Sequence, residues 1–389
     1  MKTVIHNGNV IKEDGIIPNA SILIETDRII DIINEPYPSI ADAKYIDANG
    51  NYISPGFIDT HVHGGGGFDI MDGTEEAVTE IAYTHLKYGM TSFVPTTLTA
   101  SEERLFKAID TVEYVKNQDY IGSRILGIHL EGPYISHTYK GAQNPRYIAV
   151  PSNGHYKRFL DHSPSIKRIS AAPELDGAME MARDLKERGI VVAVAHSDAD
   201  FSCMELAAQN GFSHITHMFN GMSALKSPDY YCRGGVVEGG LILDEFTAEI
   251  IADGKHMPGE MLRLLYKCKG PDKMILTTDA MRATDMPYGI YDLGGLEVLI
   301  DDGVAMLSDR TSFAGSIATA DRLVRTAYRL AGIPLAIAVK MISINPAKLI
   351  GVDKELGSID IGKIADIVIF DDDINIKTVI QSGKIIIQN

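Results

Sequence analysis

Pro55-Gly56-Phe57-Ile58-Asp59-Thr60-His61-Val62-His63-Gly64 joins a short apolar strand to two histidines one residue apart. Alternate side chains of an extended chain share a face, so His61 and His63 point the same way at the strand's end and can grip one metal ion together. Histidine ligands rarely work alone. The reading of the fold therefore turns on whether later strand ends supply partners.

Outward from that strand, apolar strand patterns recur at 57–61, 92–96, 125–131, 169–172, 191–196, 214–217, 249–253 and 274–279. Helical patterns fall between most of them, at 75–88, 102–115, 175–188 and 259–267. Eight β/α alternations predict an α/β fold with a TIM-like (β/α)8 barrel at its centre. An open doubly wound sheet shares the alternation. It normally brings a glycine-rich dinucleotide turn, and no G-x-G-x-x-G opens a helix here. The glycine run 64–67 lacks a following Lys-Ser/Thr and reads as a mobile loop rather than a phosphate cradle.

The two ends read differently. Short strands are expected at 3–5, 21–24 and 28–32, with turn signals at Asn7-Gly8 and Asp14-Gly15. The other end offers strands at 357–359 and 365–370 and a hairpin over 377–384. The economical reading is one small β-sandwich domain built from both termini, 1–54 plus 354–389, flanking a barrel over 55–353. The length of 389 residues suits a barrel of about 250 residues with a smaller companion.

A formal net charge of −16 argues against nucleic acid and anionic membranes as partners. An anionic substrate would need local cations or backbone N–H groups. The cysteines, Cys203, Cys232 and Cys268, form no C-x-x-C pair, so neither a disulfide framework nor a zinc ribbon is expected, and a reducing compartment is. The N-terminal residues lack a signal-peptide apolar core, and no run approaches the ~20 apolar residues of a membrane span. A cytoplasmic protein is the expectation.

Chemistry gathers at the C-terminal ends of the predicted strands, where barrel side chains converge. Strand one ends at His61 and His63, strand three in His129-Leu130-Glu131-Gly132-Pro133, strand five in Ala195-His196-Ser197, strand six in Thr216-His217-Met218, and strand eight in Thr278-Asp279-Ala280. A lone histidine at a strand end is more often structural than ligating. Four imidazoles and two carboxylates, spread over different strand ends on one face, form a ligand set for zinc or another divalent transition metal. His129 shares a face with Glu131 and reads as a supporting residue, and His214, of opposite parity to His217, as packed or surface.

These motifs, with Gly141-Ala142-Gln143-Asn144-Pro145, His217-Met218-Phe219-Asn220-Gly221-Met222, Ala252-Asp253-Gly254-Lys255-His256 and Phe313-Ala314-Gly315-Ser316, resemble the amidohydrolase superfamily. More narrowly, the whole chain resembles the N-acetylglucosamine-6-phosphate deacetylase family. The resemblance implies a metal-dependent hydrolase that converts this sugar to glucosamine-6-phosphate and acetate. It implies that Glu131, His196 and His217 hold the principal ion. Some relatives lack both histidines of the His-x-His pair and use one ion. This chain keeps His61 and His63, so one or two ions per subunit are expected, a second one bridged by Glu131 and reached by Asp279. Zn2+ is the expected metal, with Fe2+, Mn2+ or Co2+ as alternatives. Asp279 is implied to move the proton during catalysis. Ala142, Gln143, Asn220, Gly221, His256, Phe313, Ala314 and Gly315 are implied substrate contacts. Arg233 is the implied phosphate ligand, reaching the neighbouring site of a homodimer. Some relatives carry a histidine, which polarises the acetyl carbonyl, where this chain has Gln143. The expectation is that a second ion supplies what the neutral amide cannot. The competing readings are an N-acetylgalactosamine-6-phosphate deacetylase, an amidohydrolase for a different amide, and a non-catalytic barrel subunit.

Overall fold

In the computed structural model, which describes residues 2–227 and 230–389, every residue of strand one, Phe57–Val62, is buried. Burial on both faces is what a parallel strand inside a ring of helices requires. Strand two is Met90–Thr97. Strand three is split into Arg124–Ile125 and Ile128–Glu131. Strands four to eight are Ile166–Ala171, Val191–Val194, Phe212–Ile215, Thr247–Ile251 and Met274–Thr277. Each pairs in parallel with the next in chain order. The ring closes just beyond strand eight. Ala280 bridges Val62 in parallel, the Asp279 amide donates to His61 O at 3.1 Å, and the His63 amide donates to Ala280 O at 2.9 Å. Closure excludes the open doubly wound sheet. The predicted helices are present as Glu75–Leu86, Glu102–Lys116, Ala178–Glu187 and Gly259–Lys273. The first begins at Thr74, whose hydroxyl accepts from the Ala77 amide at 3.2 Å.

Both termini build the second β unit, as expected. Its strands run in the order Lys384–Gln388, Ile376–Gln381, Ile367–Phe370, Tyr52–Pro55, Lys2–Lys12, Gly15–Glu25, Arg28–Ile33, with Ala43–Asp47 also on Lys2–Lys12. The long strand Lys2–Lys12 serves two parallel partners, Ala43–Asp47 along residues 2–6 and Tyr52–Pro55 at residues 9 and 10. Its isoleucines and valines face those of the C-terminal hairpin around Ile5, Ile22, Ile53, Ile367 and Ile380.

Three local expectations are corrected. Asn7-Gly8 makes no hairpin. It is a bulge, with Asn7 at φ 55° and register shifts on both sides of Gly8, placed where the long strand changes partner. Residues 357–359 form no strand. Gly357 is at φ 88°, outside extended geometry, and Ile359 is buried by packing instead. The glycine run is ordered: Gly64–Gly65 pairs with Phe68–Asp69, and the Gly66 and Gly67 amides donate to Thr284 O and Arg282 O at 2.9 and 2.8 Å. A Cβ on Gly64 would lie 2.4 Å from Phe68 O, so glycine is there for close packing. A further element went unforeseen. After strand eight, Ile290–Leu293, Leu296–Asp301 and Val304–Leu307 form an antiparallel sheet beside the C-terminal face of the barrel.

The barrel and the terminal unit are joined by Arg124, at strand three. Its guanidinium donates to both carboxylate oxygens of Asp366, at 2.5 and 3.3 Å, and to Ser382 Oγ at 2.8 Å. Asp366 is buried, so Arg124→Met strands a carboxylate. We expect a stability loss of about 2–4 kcal/mol, read from the urea midpoint, with much of it recovered when Asp366→Asn is added.

Candidate metal centre and substrate pocket

The side chains singled out at the strand ends meet over the barrel's C-terminal face. His61 lies within strand one and Glu131 closes strand three. His196, His217 and Asp279 lie just beyond strands five, six and eight, with φ of 45°, 28° and 49°. Left-handed backbone at non-glycine residues costs on the order of 1–3 kcal/mol each and persists only where surroundings impose it. They do so here. The Glu249 carboxylate accepts the His217 amide at 3.2 Å. The Asp59 carboxylate accepts from Thr277 Oγ1 at 2.6 Å, the Thr278 amide at 2.8 Å and the His61 amide at 3.0 Å.

Two buried groups result, His61/His63/Asp279 and Glu131/His196/His217. His61 Nε2 lies 3.1 Å from His63 Nε2, and each lies 3.3–3.5 Å from Asp279 Oδ1. In the second group, His217 Nε2 lies 3.3 Å from His196 Nε2 and 3.0 Å from Glu131 Oε1. Glu131 also links the groups, its oxygens 3.5 and 3.2 Å from the Nε2 atoms of His61 and His63. A tetrahedral ion with bonds of ~2.0–2.2 Å keeps its ligand atoms ~3.3–3.6 Å apart. The spacing therefore fits a divalent ion in each group. Two of the four outer ring nitrogens have an acceptor, while His63 Nδ1 and His217 Nδ1 have none among the described residues. His61 Nδ1 lies 2.8 Å from Glu249 Oε1 and His196 Nδ1 2.8 Å from Tyr139 O. Protons held there leave the Nε2 lone pairs facing inward.

Burial alone would raise the Glu131 carboxyl, but His61, His196 and His217 hold it well below the usual range. Burial likewise opposes ionisation of Asp279, and His61 and His63 outweigh it. Both carboxylates are therefore held toward the anionic form, the form that a metal ligand and a proton acceptor each require.

The remaining predicted residues divide. A cleft of about 620 Å³, open to solvent, is lined by Ala142, Gln143, Asn220, Gly221, His256, Phe313 and Gly315 together with His63, Glu131, His196, His217 and Asp279. Ala314 lies between two wall residues with its side chain buried. Gln143 donates through Nε2 to Glu131 Oε2 at 2.7 Å and accepts the Thr99 amide at 2.7 Å, so it braces the carboxylate that joins the groups. His256 Nδ1 is 2.9 Å from Asp253 Oδ2, and its ring lies 4.4 Å from that of Phe313. Gly221, at φ 58°, passes so close to His196 that a Cβ would lie 2.8 Å from Nδ1. Arg233 is not part of this chain's pocket wall. It is exposed, on a short antiparallel bridge with Lys226, and near Asp200. Among the described residues, the wall contains neither lysine nor arginine.

Sequence reasoning passed over two buried charges, Arg168 and Glu249. Glu249 interrupts an apolar run, Ala248-Glu249-Ile250-Ile251, and that interruption was the available signal, whereas Arg168 stands beside Lys167 and carried none. It also left His214 as packed or surface. His214 is buried, with Nδ1 2.7 Å from Thr247 Oγ1 and Nε2 3.3 Å from Glu249 Oε2. His129 bonds Ser170 and Thr96, at 2.7 and 3.2 Å, in the supporting position expected of it. Gly141, from the Gly141–Pro145 motif, also lines the cleft, and Leu98, Ile251, Leu293 and Ser312, which carried no sequence signal, complete the wall.

The Amidohydrolase family model matches residues 52–386. The chain is 35% identical to the N-acetylglucosamine-6-phosphate deacetylase of Lysinibacillus sphaericus, over all of this chain and 98% of that one. It is 31% identical to the N-acetylgalactosamine-6-phosphate deacetylase of Escherichia coli O157:H7, over 99% of both. The crystal structure of N-acetylglucosamine-6-phosphate deacetylase from Pasteurella multocida superposes with a TM-score of 0.93 at 30% identity, over the full length of both chains. With this fold, this cluster of histidines and carboxylates and these relatives, the chain belongs to the amidohydrolase family, among the N-acetylhexosamine-6-phosphate deacetylases.

Proposed function

We propose that the protein hydrolyses the acetamide of N-acetylglucosamine-6-phosphate, giving glucosamine-6-phosphate and acetate. The observation that carries this reading is the pair of candidate ion-binding groups, joined by Glu131, at the floor of the cleft. His61, His63 and Asp279 would hold one divalent ion and Glu131, His196 and His217 the other, with Zn2+ the first choice and Fe2+, Mn2+ or Co2+ alternatives. When bound, such ions acidify water toward neutrality and polarise a carbonyl. Asp279, kept anionic by its histidine neighbours, takes a proton from the attacking water as oxygen bonds to the acetyl carbon. It returns that proton to the nitrogen as the C–N bond breaks, so the sugar leaves as a neutral amine. Gln143 spends its amide on Glu131 and Thr99, which leaves carbonyl polarisation to the ions.

The phosphate lacks a cation in the described wall. Asn220, Gly221, Ala142 and His256 offer hydrogen bonds, and the exposed Arg233 is our choice for the counter-charge, delivered into a neighbouring subunit's cleft. Exposed Leu225, Tyr230 and Tyr231 beside it are the apolar surface such a homodimer would cover. The galactosamine epimer is the second reading, favoured by the relative of that activity.

Amine release should be fast with N-acetylglucosamine-6-phosphate, slow with its 4-epimer and slower with the unphosphorylated sugar. Chelation should abolish it and a divalent metal restore it. No turnover by the metal-loaded protein would discard this substrate.

Asp279→Asn should lower kcat by about 10³-fold. Arg233→Ala should raise KM for the phosphorylated sugar. Co-expressing the two variants should restore part of the activity, because one mixed site is then intact. Absence of recovery would place the phosphate cation within one chain.

Replacing His61 and His63 together by alanine should abolish activity while one equivalent of metal stays bound. Full activity in that variant would refute the compensation for Gln143.

A further inference from the structure

The interior of a parallel barrel is ordinarily filled by layers of branched apolar side chains. Beneath the two ion-binding groups this barrel instead buries a complete ion pair. Arg168, from strand four, and Glu249, from strand seven, are both fully buried. Arg168 donates from Nη1 to Glu249 Oε2 at 2.5 Å and from Nη2 to Oε1 at 2.9 Å, and Nη2 also donates to Thr216 Oγ1 at 2.7 Å. A buried pair of this kind adds little stability over well-packed apolar residues, because desolvation offsets the attraction. Its presence calls for another reason.

The remaining acceptor capacity of Glu249 shows what it serves. Oε1 lies 2.8 Å from His61 Nδ1 and accepts the His217 amide at 3.2 Å. Oε2 lies 3.3 Å from His214 Nε2. A neutral imidazole carries one proton. If it sits on Nδ1, facing Glu249, the Nε2 lone pair faces His63 and Asp279. If it sits on Nε2, His61 cannot ligate. The bidentate grip of Arg168 keeps the carboxylate from rotating away and leaving the choice open.

We propose that Glu249, clamped by Arg168, is a positioning residue that selects the ligating tautomer of His61 and so governs ion binding at the His61/His63/Asp279 group. This rests on the two-ion reading above. The other group does not depend on the clamp for its ring protons in the same way, since His196 is oriented by Tyr139 O.

The test is a Co2+ titration of metal-free protein, followed by visible d–d absorption, for the wild type, Glu249→Gln and Arg168→Met/Glu249→Gln. An amide can turn its NH2 toward His61 Nδ1 and stabilise the wrong tautomer. In Glu249→Gln one equivalent should bind as in the wild type and the second about 10–100-fold more weakly, with an altered spectrum. kcat should fall and KM stay near its wild-type value. The double variant removes the orphaned guanidinium, which guards against loss of folding, and should show the same weakened second site. Two equivalents bound with wild-type affinity in either folded variant would overturn the proposal and leave the pair a structural one. A wild-type protein that takes up a single equivalent would overturn the two-ion reading instead. Unchanged affinity of that single site in Glu249→Gln would then overturn the proposal as well.

Discussion

The structure depends on one buried carboxylate that lies outside the wall of the cleft. Asp59 sits inside strand one and accepts hydrogen bonds from Thr277, Thr278 and the His61 amide. These bonds tie the last barrel strand to the first, where the closing backbone contacts from Asp279 and His63 are made. Burial pushes this carboxyl up, and the hydrogen bonds from Thr277, Thr278 and His61 oppose it. Barrel closure and the placement of Asp279 against His61 and His63 are thus one event. A barrel that failed to close here would also misplace Asp279.

The same economy appears in the charges. Glu131, Asp279 and Glu249 are all buried, and all are held anionic against burial by neighbouring cations or imidazoles. Arg168 neutralises Glu249. Glu131 and Asp279 have only imidazoles and the Gln143 amide against them. Two neighbouring buried carboxylates whose counter-charges are imidazoles make a site suited to a divalent ion, since burying unpaired charge is costly. Gln143 belongs to this balance. Where a titratable imidazole would add one more group of variable charge, the amide braces Glu131 without changing the net charge.

Much of this was legible beforehand. The alternation of strands and helices predicted the barrel because parallel strands buried on both faces leave long apolar runs. The strand-end histidines and carboxylates were visible because polar residues stand out against such runs. The errors have physical causes. Asn7-Gly8 carries a turn's chemistry, yet the pairing of Lys2–Lys12 with two partners turned the same backbone freedom into a bulge. The glycines after His63 looked mobile because glycine is flexible in isolation, whereas here they permit close packing. Arg168 and Glu249 were passed over because neither stands at a strand end, and their meaning lies in a pairing across the barrel that no local pattern encodes.

Three of the residues that face the ions leave their strands in left-handed backbone. At these three exits the backbone turns sharply within one residue, whereas His61, His63 and Glu131 face the same site from ordinary backbone. For an L-residue the sharp turn is a strained one. Glycine would relieve the strain but removes the ligand. The fold resolves this by setting glycine beside the strained positions: Gly221 packs against His196, and Gly315 lies against the Asp279 backbone. The strand-end residues keep their side chains, the neighbours give up theirs, and hydrogen bonds to Asp59 and Glu249 hold the turns at Asp279 and His217 in place.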